Sequence, residues 1–181
     1  LGELRALRAA CDKLDLLLYC DGARLGSAIT APGSDAGFAD YAAVCDAFTI
    51  GGTKNGLLFG EALVIVNPAL QPCFRYCMKQ QGAILAKGWL LGVQFSALLK
   101  DNLYLELAAR ANGLAGELTR GLQALGVSLL SPSPSNQVFP LLPDHVVERL
   151  AEDFTFEIQQ PSQDGVTGIR LVTGWYSTRE D

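Results

Sequence analysis

The sequence predicts an α/β fold: a mainly parallel sheet with crossover helices, followed by a small α+β unit. Three observations carry that expectation. Short apolar runs of buried-strand type, Leu16 to Cys20, Ala47 to Ile50 and Ala62 to Val66, alternate with helical stretches in the first half. Strand, helix, strand at that pitch calls for crossover helices rather than hairpins. After a long helical stretch from Pro68 to Leu125, the rhythm changes to short strands grouped around one helix.

Leu1, Leu4, Leu7 and Ala10 recur at helical spacing and predict an amphipathic helix over Leu1 to Lys13. The run Leu16 to Cys20 follows as a buried strand, then a small-residue loop with Pro32 and Gly33, then a short helix at Phe38 to Val44. Ala47 to Ile50 and Ala62 to Val66 are the next strands, the second stopped by Asn67-Pro68. Ala83 to Leu99 carries Leu85, Trp89, Leu90, Val93, Phe95 and Leu98 almost all round, so this helix is expected to be buried on several sides. Asp101 or Asn102 is expected to cap the next helix, which runs through Leu103, Leu107, Leu114, Leu118 and Leu122 to a stop at Gly126. Val127 to Leu130, Gln137 to Leu142, Phe154 to Ile158 and Gly168 to Thr173 read as short strands around a helix at Asp144 to Leu150. The Ser131-Pro132-Ser133-Pro134-Ser135 segment is a turn between strands. The expected division places residues 1–105 in the larger unit and 106–181 in the smaller. The chain opens in mid-helix pattern without a methionine. Ser177 or Thr178 with the acids after it resembles a helix start cut short, so a piece of a longer protein is expected.

Composition narrows the class. A chain that is 49% hydrophobic and 18% charged, with a mean hydropathy of +0.22, is too apolar for disorder and supports a real core. The net charge of -5 and the absence of a Lys/Arg cluster argue against nucleic acid as a partner. No apolar run approaches the length a bilayer demands, so no membrane role is expected. Cys11, Cys20, Cys45, Cys73 and Cys77 show no C-x-x-C spacing, and His145 is the chain's one histidine; reduced thiols in a cytoplasmic protein, with no metal site, are expected. Cys73 and Cys77 are read as neighbours on one buried helix face, and His145 as an exposed residue in a first helical turn.

Two positions carry the chemistry. Asp21 ends the first apolar run and opens Asp21-Gly22-Ala23-Arg24, while Lys54 lies in Gly51-Gly52-Thr53-Lys54-Asn55-Gly56, directly after the second run. A carboxylate and a glycine-flanked lysine at neighbouring strand ends suit pyridoxal 5'-phosphate (PLP). The lysine amine condenses with the cofactor aldehyde, and the carboxylate keeps the pyridine nitrogen protonated so that the ring accepts electrons. The plainer alternatives are an acid capping its own turn and a solvated lysine in a glycine loop. Thr53 offers a hydroxyl for the cofactor phosphate or for the turn itself. Arg170 is unusual for a strand, because its neighbours Ile169, Leu171 and Val172 would penalise an unpaired charge.

Taken in order, Asp21-Gly22-Ala23-Arg24, Gly51-Gly52-Thr53-Lys54 and Gly168-Ile169-Arg170-Leu171-Val172-Thr173 resemble the threonine aldolase and β-eliminating lyase family of fold type I PLP enzymes. The run Lys79-Gln80-Gln81-Gly82-Ala83-Ile84-Leu85-Ala86-Lys87-Gly88-Trp89 fits it too. The resemblance implies the C-terminal part of a PLP-binding large domain followed by a small α+β domain. It implies Lys54 as the cofactor-linked lysine, Asp21 as the pyridine partner, Ala23 beneath the ring, and Arg24 and Arg170 at the substrate carboxylate, which a guanidinium fork grips in two places. The activity implied is cleavage of a β-hydroxy-α-amino acid, of threonine or allo-threonine type, to glycine and an aldehyde. The family's glycine-rich phosphate turn and ring-stacking aromatic residue are not found in this chain. A missing N-terminal half and a homodimer or homotetramer are therefore expected as partners, and the chain alone is expected to bind PLP weakly and to be inactive. Other readings of the same residues are a β-eliminating lyase, an aminotransferase or a decarboxylase, or a non-catalytic assembly module that kept the fold.

Overall fold

The computed structural model describes residues 1–181. The first half is organised by a three-stranded sheet of β1 (Tyr19–Cys20), β2 (Ala47–Gly51) and β3 (Glu61–Ile65), in that order. β1 runs parallel to β2, pairing Tyr19 with Ala47 and Cys20 with Phe48, and β3 closes onto β2 antiparallel. The helices α2 (Leu25–Ile29) and α3 (Phe38–Val44) make the crossover between the parallel strands. β2 is central and buried at Ala47, Phe48, Thr49 and Gly51, which explains its unbroken apolar character. Leu25, Val44, Cys45 and Phe48 form the core there, with Leu4, Leu18, Ile29 and Tyr41 packed around them.

α1 (Gly2–Lys13) buries only part of the leucine stripe: Leu4 turns inward with Arg8 and Cys11, while Leu7 is 50% exposed and Ala10 is exposed. The reason is electrostatic. Asp46 accepts from Arg8 Nη1 at 2.7 Å, from the Leu18 amide at 2.7 Å and from Asn67 Nδ2 at 2.7 Å, so Arg8 pulls its side of the helix onto the sheet. The first strand is also shorter than expected. Leu16 and Leu17 lie outside the ladder and are exposed, because β1 is the edge of this sheet.

Four other expectations need correction. The helix expected over Ala83 to Leu99 is α5 (Trp89–Leu99), and instead of being buried on several sides it leaves Trp89, Leu90, Val93 and Leu99 exposed, since within this chain it has little to pack against besides α6. Neither Asp101 nor Asn102 caps α6 (Leu103–Ala124) through its side chain; both are left-handed, at φ 51° and 65°, and turn the chain sharply between the two helices. Cys73 and Cys77 are exposed rather than buried, because α4 (Phe74–Gln80) lies on the surface and Cys73 sits before it at φ 59°. Ser177 to Asp181 forms no helix. There Arg179 pairs with Glu117 on α6, and the Ser177 hydroxyl accepts the Gly174 amide.

α6 is the spine of the molecule. Its Tyr104, Ala108, Ala111 and Ala115 are buried on one face, and the small side chains let α2 come close. A second, antiparallel sheet places β7 (Val166–Val172) between β4 (Gln137–Val138) and β6 (Glu157–Gln163), with β5 (Leu141–Pro143) also paired to β7. The expected strand Gln137 to Leu142 is thus split at Phe139-Pro140, where proline has no amide to donate. Val127 to Leu130 contributes a single bridge, Leu129 to Pro140. β6 starts at Glu157, later than the Phe154 expected, and turns into β7 through Asp164 and Gly165, both at positive φ. α7 (Asp144–Leu150) lies where the sequence placed it, with His145 exposed. Residues 105 and 106 fall in the first turn of α6, which touches both α2 and β4. No helix is long and apolar enough to cross a membrane.

Candidate active site

Because β1 and β2 are parallel, Asp21 and the turn Thr53–Asn55 that carries Lys54 both follow C-terminal strand ends on the same edge of the sheet. In open α/β sheets that edge is where ligands sit. Glycine builds the approach. The Gly22 amide donates to Thr49 Oγ1 at 2.8 Å and its carbonyl accepts the Gly51 amide at 2.9 Å, so the loop lies directly on β2. A Cβ on Gly22 would stand 1.8 Å from the Thr49 carbonyl oxygen, and one on Gly51 would stand 2.3 Å from that of Ala23. Both contacts are with backbone, which leaves glycine as the residue that fits.

Tyr104 locks this arrangement from behind. Its hydroxyl accepts the Gly26 amide at 3.2 Å and donates to the Gly51 carbonyl at 2.9 Å, joining the start of α2 to the end of β2. Burial pushes its phenol up to about 12. Asn55, next to Lys54 and buried, donates from Nδ2 to the Tyr104 carbonyl at 2.6 Å and so pins the lysine turn to α6. Sequence reading missed both residues. The one available signal for Asn55 was an amide inside a glycine-rich turn, and for Tyr104 there was none, since its partners lie 53 and 78 residues away.

The expected site residues fall into two groups. Asp21 is exposed, with Oδ1 accepting the Ala23 amide at 3.1 Å, so it caps its own turn through one oxygen and keeps the other available. Lys54 and Thr53 are exposed, and Lys54 enters none of the ion pairs. Ala23 is half-buried between them in sequence order and on the same edge. The second group is Arg24, at the start of α2, and Arg170 on β7. Both are half-buried and the Nε of each has no hydrogen-bond partner, but Arg170 pairs with Glu157 at 2.6 Å whereas Arg24 has no ion pair. Burial first, and then the nearby Arg170 charge, lower the Arg24 pKa, with Glu157 opposing. One guanidinium from α2 and one from β7 thus feel each other's charge, and Glu157 is bonded to Arg170. A groove of about 860 Å³ between α6, α7 and the chain end, lined by Leu118, Leu122, Leu150 and Phe154, contains none of these residues.

The parallel β1–β2 pair with its crossover helices, followed by the small antiparallel sheet, belongs to the fold type I class. The chain belongs to the Beta-eliminating lyase family, whose model matches residues 1–144. It is 36% identical over 175 residues to the low specificity L-threonine aldolase of Pseudomonas aeruginosa, covering 96% of this chain and 49% of that protein. A Pseudomonas sp. relative of the same name is 36% identical over 178 residues. The solved structure of Leishmania major threonine aldolase superposes with a TM-score of 0.96 at 46% identity, covering 99% of this chain and 52% of that one. An Exiguobacterium aromatic amino acid beta-eliminating lyase/threonine aldolase shares the fold at a TM-score of 0.66 and 18% identity. The chain spans about half the length of the curated relatives it matches.

Proposed function

We propose that the whole protein is a PLP-dependent carbon–carbon lyase that cleaves β-hydroxy-α-amino acids of threonine or allo-threonine type to glycine and an aldehyde. The observation that carries this reading is Arg24: a half-buried guanidinium without a counter-ion, beside Arg170, on the sheet edge that also presents Asp21 and Lys54. An anion missing from the protein's own inventory belongs there, and an amino-acid carboxylate has the required charge and two-oxygen geometry. Residues 1–105 supply the C-terminal part of the cofactor domain and 106–181 the small domain, so the clamp draws on both.

The residues suit PLP: Lys54 offers an unpaired amine, Asp21 an oxygen free to accept, and Ala23 a side chain small enough to lie under a ring. When bound, PLP supplies an electron sink for the bond broken at Cα. Asp21 would hold the proton on the pyridine nitrogen that makes the sink effective. Lys54 would hold the cofactor through its amine, and the Thr53 hydroxyl would serve the phosphate. Arg24 and Arg170 would fix the carboxylate and, by doing so, set which Cα bond stands perpendicular to the ring. A base would take the β-hydroxyl proton as the Cα–Cβ bond opens. The exposed apolar side chains of α5 support a surface that meets another, and with the reading above goes a homodimer or homotetramer in the cytoplasm.

The full-length protein should show a visible absorbance that borohydride alters and that Lys54→Ala lacks. It should release glycine and an aldehyde from a β-hydroxy amino acid. Ammonia and a keto acid as the products instead would move the assignment to elimination, and a colourless wild-type protein that stays apo in excess PLP would overturn it.

A further inference from the structure

Arg24 stands at the start of α2 and Arg170 on β7 of the second sheet, so a contact between those two elements sets the distance between them. Asn136 occupies that position. It is 5% exposed, immediately precedes β4, and bonds with both of its amide groups and its side chain to the two arginine-bearing elements. Toward α2, its amide donates to Ser27 Oγ at 3.2 Å, one helical turn beyond Arg24, and its Oδ1 lies 3.3 Å from the same hydroxyl. Toward β7, its Nδ2 donates to the Thr173 carbonyl at 2.7 Å and its carbonyl accepts the Thr173 amide at 3.0 Å, three residues beyond Arg170. Ser27 in turn donates to Asn112 Oδ1, and Asn112 Nδ2 returns a bond to the Ser27 carbonyl at 2.9 Å, which fastens α2 to α6.

We propose that Asn136 is a positioning residue, a buried latch that fixes the spacing of the Arg24 and Arg170 guanidiniums and thereby the affinity and orientation of the substrate carboxylate. The inference rests on the carboxylate-clamp reading above. The two guanidiniums carry like charge, and Asn136 ties the backbones behind them through its N–H, its carbonyl and its Nδ2. A buried polar network of this kind holds one geometry, whereas removing a member leaves its partners unpaired and the geometry loose. Asn136 itself does not touch the substrate. Its loss therefore acts on the fit of the carboxylate and not on the cofactor lysine.

The test uses the full-length enzyme loaded with PLP, titrated with glycine and, as a probe without a carboxylate, with methylamine. Asn136→Ala should weaken glycine binding and raise KM by about tenfold, the scale of a misplacement well under 1 Å. Methylamine affinity and PLP content should be unchanged, and kcat should fall less than KM rises. Ser27→Ala, a milder removal of the same tie, should shift glycine affinity in the same direction by about threefold and decides the matter if Asn136→Ala does not fold. Asn136→Ala or Ser27→Ala with a lowered unfolding midpoint but unchanged preference for glycine over methylamine overturns the latch. Arg170→Lys separates the two levels. If it leaves glycine affinity intact, the carboxylate clamp itself is wrong; if it weakens glycine while both latch variants leave it unchanged, the latch alone is wrong.

Discussion

Tyr104 makes one hydroxyl serve two backbones, and that dual use predicts its contribution. Tyr104→Phe keeps the ring, its packing with Leu57 and Leu98 and its tilt against Phe38 at 5.7 Å, but strands the Gly26 amide and the Gly51 carbonyl in a buried place. The expected loss is about 1–3 kcal/mol, read as a lower urea midpoint with unchanged slope. A pH signature goes with it. The folded phenol is raised from 10.0 to about 12, so the neutral hydroxyl's contribution is complete below pH 10.0 and is lost as pH climbs toward 12. Wild-type stability should fall across that window more steeply than that of Tyr104→Phe, and parallel curves would show that the phenol is not the titrating clamp. At this scale the sequence was legible where chemistry is local. Asp21 and Lys54 stand out because a charge after an apolar run and a lysine among glycines are visible in a few neighbouring letters. Tyr104, Asn55 and Asn136 were not visible, because their worth comes from partners tens of residues away.

Elements were easier to read than the faces they use. α1 was expected and forms, yet the side it buries is turned by the pair Arg8 and Asp46, 38 residues apart, so that Leu4 packs inward and Leu7 does not. The Asp46 carboxyl is held down from 3.8 to about 2, chiefly by the Leu18 amide, then by Asn67 and Arg8. Because the folded value is depressed, the stability it contributes is present above pH 3.8 and drains away as pH falls toward 2. Asp46→Asn keeps an acceptor but drops the charge, so α1 amides should exchange faster at neutral pH in this variant, while β2 amides keep their protection. Equal protection of α1 in both proteins would show that the helix is held by Leu4 and Cys11 packing alone. The same limit explains the caps before α6. Asp101 and Asn102 have the right chemistry for a cap, but they take left-handed backbone because α5 and α6 must turn sharply over each other there.

The whole molecule is where the sequence said least and where the surface says most. The mean hydropathy marks a chain with a core, but it does not say which apolar side chains the chain buries itself. Trp89 is 64% exposed, Val93 56% and Leu90 45% on α5, and Leu58, just beyond the Lys54 turn, is 82% exposed. Apolar exposure on that scale marks a surface that meets another. The chain spans about half the length of its curated relatives, and we propose that a further part of the protein or a second subunit covers this surface. Trp89 offers a direct reading because the chain has one other tryptophan, Trp175. In a Trp175→Phe background, the iodide-quenched emission that Trp89→Phe removes should be large in the 181-residue chain and small in the full-length protein. Val93→Glu should slow association of the full-length assembly while leaving the isolated chain's unfolding midpoint within about 0.5 kcal/mol of wild type, as expected for an exposed position. Equal quenching in both forms would mean that α5 faces solvent in the finished enzyme, and its apolar surface would then have to be explained without a partner.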